Sequence, residues 1–142
     1  MTDTITSFDG EYRFLSNFWQ CMILFEDHFY SSAEQIYVTY KLKDKSSRDL
    51  VRAIHDPGKA KRFGRIHTMR EDWDDIKYAT MYNIVKAKFD QNPNLMEMLI
   101  ATKPKIIIGG NTWGDRYWGQ CPLGTGENNL GKILMTVRDS II

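Results

Sequence analysis

Cys21-Met22-Ile23-Leu24-Phe25-Glu26-Asp27-His28-Phe29-Tyr30-Ser31-Ser32-Ala33-Glu34-Gln35 is the stretch on which the reading of this chain turns. Two apolar and aromatic runs, 21–25 and 28–30, flank Glu26-Asp27, which is the pattern of a tight hairpin. Directly after them, Ser31 or Ser32 is placed to cap a helix, with Glu34 or Gln35 in the capping-box position. A hairpin therefore feeds a helix, which is expected to run to about residue 44.

Working outward, residues 5–8 read as a further short strand. Helices are expected over 47–55, stopped by Asp56-Pro57-Gly58, and over 59–64. The acidic opening Glu71-Asp72, followed by Tyr78, Met81, Val85 and Phe89 at spacings of three and four, predicts a long amphipathic helix over 71–90. Asn92-Pro93-Asn94 interrupts it, 95–101 resumes as helix, and 105–108 reads as a short buried strand before Gly109-Gly110. Residues 109–129 form a loop rich in Gly and Trp, too long for a plain connector and therefore a functional suspect. A last helix carries the stripe Leu130, Ile133, Leu134, Val137 and Ile141. The expected fold is α+β, a mostly helical single domain over 1–142 with a few short strands and the Gly/Trp-rich loop ahead of the C-terminal helix.

The 142 residues contain 42% hydrophobic and 26% charged residues, enough for one packed core and unlike a disordered tail. Nineteen Lys and Arg against eighteen Asp and Glu give a net charge of +1, which excludes a generic polyanion binder. The distribution is uneven. Residues 41–70 hold ten basic residues and three acids, a net of +7 that leaves −6 for the rest of the chain. Such segregation favours a small anionic partner, a nucleotide or pyrophosphate, although solvated helix faces would show the same composition. Cys21 and Cys121, a hundred residues apart, fit neither a disulfide framework nor a CxxC site, and point to a reducing compartment. With no apolar run of membrane-spanning length and no signal-peptide pattern at the start, the expectation is a soluble, cytoplasmic protein.

Gly126-Glu127-Asn128-Asn129-Leu130-Gly131-Lys132-Ile133 matches a P-loop at seven positions and fails at the eighth, where Ile133 replaces the hydroxyl that a magnesium ion needs. The loop's glycines still let the backbone approach a ligand. Asn128 is expected to cap the last helix and leave free N–H groups toward an anion. His28, His55 and His67 lack metal-ligand spacing, so no metal site is expected. Glu34 and Lys41 lie seven residues apart, about 10 Å along a helix and on nearly the same face, with Tyr37 and Val38 between them. They can bracket a small substrate over an apolar floor, or they can be an ordinary capping Glu and an exposed Lys. Trp113, Tyr117 and Trp118 suit a stacking platform for a base or sugar, and Asp115 between them is a candidate partner for sugar hydroxyls or a second carboxylate. Trp73, on the long helix, reads as core, with a place in the lining of the site as the alternative.

Phe14-Leu15-Ser16-Asn17-Phe18, Ser32-Ala33-Glu34-Gln35 with Tyr37 and Lys41, Ala60-Lys61-Arg62-Phe63-Gly64-Arg65, Trp73, Lys88-Phe89, Trp118-Gly119 and 124–135 with Arg138 together resemble the NADAR family, in the family's order over nearly the whole chain. The resemblance implies cleavage of N-glycosidic bonds, in ribosylamino-pyrimidine and ribosylamino-uracil phosphates of riboflavin synthesis or in ADP-ribose attached to guanine. It implies Glu34 as catalytic acid/base and Lys41 as the amine that forms a Schiff base with ribose C1. Asn17, Trp118, Gly119, Gly124, Gly126 and Asn128 are then expected to line the pocket, with Lys61, Arg62 and Arg65 toward phosphate. One departure is Gln120-Cys121-Pro122, where several relatives continue with an acidic or glycine-rich segment. The expected activity needs no metal or organic cofactor and acts on a phosphate-bearing N-ribosyl substrate, foremost ADP-ribosylated guanine, free or within nucleic acid. A non-catalytic ADP-ribose or nucleotide-binding module is the alternative, and a single-strand nucleic-acid binder a third reading that the near-neutral total charge disfavours.

Overall fold

In the computed structural model, which describes residues 3–140, the elements run β1 (Thr4–Ile5), a 3-10 helix (Gly10–Leu15), β2 (Gln20–Phe25), β3 (His28–Ser32), α1 (Ala33–Lys41), α2 (Lys45–Val51), α3 (Pro57–Arg65), α4 (Trp73–Gln91), α5 (Pro93–Ile100), β4 (Ile106–Ile107) and α6 (Asn129–Asp139). This is the expected α+β class, mostly helical. The chain divides into two compact units, residues 17–92 and residues 1–16 with 93–142.

In the 17–92 unit, Glu26 and Asp27 both take positive φ, 46° and 71°. That local twist matches the twist of paired strands and closes the antiparallel β2–β3 hairpin, with Leu24 opposite Phe29 and Phe25 opposite His28. The outer edge of β2 is covered by a side-chain amide from the end of α4 in the same unit: Gln91 pairs both the N–H and the carbonyl of Leu24, at 2.7 and 2.8 Å. Such cover removes an exposed strand template.

Ser32 caps α1, its hydroxyl accepting from the Gln35 amide at 3.1 Å. Gln35 returns the interaction one residue earlier than a strict capping box, its Oε1 accepting from Ser31 N–H at 2.8 Å. Its Nε2 donates to the carbonyls of Val51 and Arg52, at 3.2 and 3.0 Å. These are end-of-helix carbonyls, Val51 O also taking the Ile54 N–H at 2.9 Å, so one buried side chain starts α1 and helps finish α2. The expected continuation of that second helix to residue 55 is corrected accordingly. The expected end of α1 at 44 is also corrected. Leu42 turns extended and bridges Met69, while Arg70 N–H donates to the Lys41 carbonyl at 2.9 Å.

The central helix α1 packs against the hairpin, α2, α3 and α4. Ile23, Tyr30, Ala33, Ile36 and Ile84 form one apolar cluster, and Val38, Leu42, Val51 and Ala60 another. Each fully buried Val, Leu or Ile side chain here contributes about 1.5–3 kcal/mol. On α4 the buried stripe is Trp73, Met81, Ile84, Val85, Lys88 and Phe89. Tyr78, expected in that stripe, is 41% exposed and lies off it.

In the other unit, β1 pairs in parallel with β4, Thr4 opposite Ile106 and Ile5 opposite Ile107. The expected strand over 5–8 stops after Ile5, and Ser7 and Asp9 join in a side-chain hydrogen bond at 3.1 Å. On α6, Leu130, Ile133, Leu134 and Val137 are buried as the stripe predicts; Ile141 lies outside the described residues. Buried Arg138 ties α6 to the segment before β4, donating to the Lys105 carbonyl at 2.7 Å and to the Thr102 hydroxyl at 3.2 Å.

Candidate active site

The acid and the amine singled out in the sequence stand on α1, in its first and last turns. Glu34 is buried, 9% exposed, and its backbone N–H donates to the Asn17 carbonyl at 3.0 Å. The same Asn17 sends its side-chain amide toward Met81 Sδ at 3.5 Å, so the segment before the hairpin is held against both α1 and α4 next to the acid. Between Glu34 and Lys41, Val38 is buried and Tyr37 half-buried. Tyr37 meets the buried indole of Trp73 edge to face, with centroids 5.2 Å apart. The floor is thus apolar and fixed from α4, and Trp73 is core that also supports the site.

Lys41 is half-buried, and burial pushes its amine below the ordinary lysine range. Glu34 opposes that displacement by stabilising the ammonium, while Arg65, Lys61 and Lys77 reinforce it. The acid, the amine and three further cations therefore share one electrostatic environment inside the 17–92 unit. Gly64 makes this possible for Arg65 and Lys61. A Cβ on Gly64 would lie 2.8 Å from Val38 Cγ1, so α3 reaches α1 only because that side chain is absent. Lys61 and Arg65 are one turn apart on α3 and face the same way. The Lys61 ammonium also lies over the Phe18 ring, 5.6 Å from its centroid.

Arg62 is displaced from this group. It is exposed and lies in the field of Asp56, the α3 cap whose carboxylate is held low first by the Lys59 amide. The helix period turns Arg62 away from Lys61 but leaves it one turn before Arg65, so it is the neighbouring Asp56 that sets Arg62 apart. Lys77 is the member that sequence reading passed over. The available signal was its position four residues after Trp73 and four before Met81, on the buried side of α4.

In the other unit, the glycine-rich loop is bound chiefly to itself. Asp115 Oδ1 accepts from the amides of Tyr117 and Trp118 at 3.1 and 2.9 Å, and buried Asn111 spans the Asp115 and Gln120 segments. That carboxylate oxygen is a loop clasp. Gly119 is buried with its Cα against the Gly109 carbonyl, and Gly126 lies against the Gly119 carbonyl. Gly124 is exposed at φ 80°. Tyr117 and Trp118 are half-buried and meet edge to face at 4.6 Å, while Trp113 is 66% exposed.

Asn128 requires a correction. It is buried in the left-handed region, φ 52°, and makes no capping bond to α6. Its Oδ1 accepts from Gly109 N–H and its Nδ2 donates to the Ile107 carbonyl, both at 2.9 Å. The amides at the start of α6 are not free either. Asn129 and Leu130 donate to the carbonyls of Tyr117 and Trp118 at 3.1 and 3.0 Å. The loop's own backbone occupies the place where an anion was expected.

A buried carboxyl and a half-buried amine on one helix face, with guanidinium and ammonium groups beside them, define a protein whose charged centre suits proton transfer and amine addition on an anionic small molecule. The chain belongs to the NADAR domain family, whose family model matches residues 6–142. It is 32% identical over 146 residues to the N-glycosidase YbiA of Escherichia coli (strain K12), covering 99% of this chain and 91% of that protein. A riboflavin biosynthesis protein of Vibrio vulnificus (strain YJ016) is 34% identical over 135 residues, 94% of this chain and 36% of the longer relative. The NMR structure of the Escherichia coli protein YbiA superposes with a TM-score of 0.88 at 31% identity, covering 99% of this chain and 86% of that one.

Proposed function

We propose that the protein is an N-glycosidase that releases the base from an N-ribosylated, phosphate-bearing substrate, with Glu34 as proton donor and acceptor and Lys41 as nucleophile. The observation that carries this reading is the pairing on α1 of a buried carboxyl with an amine that burial holds below the ordinary lysine range. Such an amine is available uncharged nearer neutral pH, where it can add to a carbon of aldehyde oxidation state.

The chemistry follows from those two groups. An N-riboside opens to a C1–N double bond, and the Lys41 amine adds to C1. Glu34 transfers a proton to the base nitrogen, the C1–N bond breaks with its electron pair leaving on the base, and a Schiff base between C1 and Lys41 remains. Water adds to C1 with Glu34 accepting its proton, releasing the sugar aldehyde and restoring the amine. Lys61 and Arg65, already grouped around Lys41, take the substrate phosphate, and exposed Arg62 extends that cationic helix.

Two substrates fit: ADP-ribosylated guanine, free or in nucleic acid, and ribosylamino-pyrimidine phosphates. The Vibrio relative's name favours the second. No helix among the described residues is long and apolar enough to cross a membrane, and Cys21 and Cys121 are free. Incubating the pure protein with each substrate and identifying products by mass spectrometry tests the reading. Base release from one of them, abolished in Glu34→Gln with binding retained, is expected. Recovery of both substrates unchanged would leave a nucleotide-binding module instead.

A further inference from the structure

Within the 17–92 unit, α1 and α3 lie side by side and run in the same direction, and three contacts establish it. Ahead of both helices, the Ser31 hydroxyl meets His55 Nδ1 at 2.9 Å. Between them, Gly64 lies against Val38. Beyond both, Lys43 N–H donates to the Thr68 carbonyl and Arg70 N–H to the Lys41 carbonyl, at 3.0 and 2.9 Å. With Gly64 level with Val38, Lys61 falls about one turn toward the Glu34 end of α1, and Arg65 falls on the side of Lys41.

At the Glu34 end, the loop ahead of the hairpin closes in. The Asn17 carbonyl holds the Glu34 amide at 3.0 Å, and the Asn17 side chain reaches Met81 Sδ on α4 at 3.5 Å. Phe18 is the next residue. It is 39% exposed, and the Lys61 ammonium lies over its ring, 5.6 Å from the centroid. An aromatic side chain with open surface is thus placed beside the acid from two sides, by Asn17 through the backbone and by Lys61 from α3. A scattered exposed apolar residue needs no explanation; one held next to a buried carboxyl and a cation does.

We propose that the Phe18 ring is the stacking surface for the base that leaves, a specificity-determining residue that favours substrates bearing a planar base. The proposal rests on the reading of Glu34 as proton donor. The donor must stand beside the base nitrogen, while the sugar stays with Lys41 and its phosphate with Arg65 toward the other end of α1. That order assigns the base to the end where Phe18 is, with the Lys61 ammonium at the join between base and phosphorylated sugar. Stacking grips the flat face that every base has and does not read its hydrogen-bonding edge, so one ring serves either a guanine or a pyrimidine.

The test compares two probes that differ by the base alone, guanosine 5′-monophosphate and ribose 5-phosphate, by calorimetric titration in Glu34→Gln protein, where turnover is prevented. The nucleotide is expected to bind more tightly than the sugar phosphate. Adding Phe18→Leu should weaken the nucleotide about 5- to 150-fold, the range for loss of one base–aromatic stack, and leave ribose 5-phosphate within about twofold. Phe18→Trp should bind the nucleotide at least as tightly as before, and it carries the test if Phe18→Leu does not fold. Equal losses for both probes would show that Phe18 only positions Lys61, and would overturn the proposal. So would an unchanged nucleotide affinity in Phe18→Leu, a weakened one in Phe18→Trp, or no preference for the nucleotide before Phe18 is changed. Base release separates this from the proposed function: no release from either substrate by the parent protein removes the glycosidase reading, whereas the difference between the two probes alone decides whether Phe18 stacks a base.

Discussion

Gly64 on α3 lies flat against Val38 on α1, so close that a methyl group on Gly64 would come within 2.8 Å of a Val38 methyl. That single missing side chain brings Lys61 and Arg65 to Lys41. Gly64→Val forces α3 away from α1 or Val38 out of its rotamer, a loss of about 1–3 kcal/mol typical of overpacking. The expected outcome is a lower urea midpoint together with a larger fall in substrate affinity than in the rate of bound substrate. A variant with parental stability and affinity would show that the contact has no such role.

Asn128 has the corresponding duty in the other unit, joining Gly109 and Ile107 through its side-chain amide. Asn128→Ala removes both bonds and leaves a non-glycine residue without a polar side chain at φ 52°. A loss of about 2–4 kcal/mol is expected, combining unsatisfied buried backbone groups with left-handed strain. Amide hydrogen exchange should rise at Gly109 and along 116–130. Exchange confined to the mutated residue would argue against the clasp.

Trapping with borohydride should follow the protonation of Lys41. The uncharged amine is the reactive form, and burial lowers the pH at which it appears. The yield of adduct at fixed time is therefore expected to rise with pH and reach half its maximum below 10.5, the value of an ordinary lysine. Lys41→Ala should give none. Equal yields in the two proteins would place the adduct elsewhere.

Lys88 is buried on α4, and burial lowers its amine to about 8. Cys21 is near enough to oppose that displacement. Below pH 8 the group is charged in both the folded and unfolded chain, and desolvation of the charge weighs against folding. Between about 8 and 10.5 the unfolded chain binds more protons, so stability attributable to this group rises with pH. Lys88→Met lacks that dependence. The difference in unfolding free energy between parent and Lys88→Met should change in the parent's favour from pH 8 to 10, and a constant difference would contradict the displacement.

Much of the architecture was legible because it is local. The Glu26-Asp27 turn, the Ser32 cap and the α6 stripe each depend on residues within a turn or two of one another, whereas Asp56-Pro57, read as the end of one helix, caps and starts α3. The elements that were misjudged end through distant partners. Leu42 leaves α1 to bridge Met69, and α2 stops where Gln35 takes the carbonyls of Val51 and Arg52. Asn128 looked like a cap in isolation, and only the fold shows Tyr117 and Trp118 carbonyls on the amides it was expected to leave open.

By itself the sequence determined that Glu34 and Lys41 share one face of a helix, since their spacing and the helix period suffice for that. It also determined that positive charge concentrates in 41–70. Only the tertiary structure decided which of those charges act on Lys41. The packing of α3 and α4 on α1 selects Lys61, Arg65 and Lys77 and leaves Arg62 beside Asp56. The reason is physical: amphipathic spacing depends on the near neighbours in the chain, whereas burial and electrostatic field depend on distances that only packing establishes.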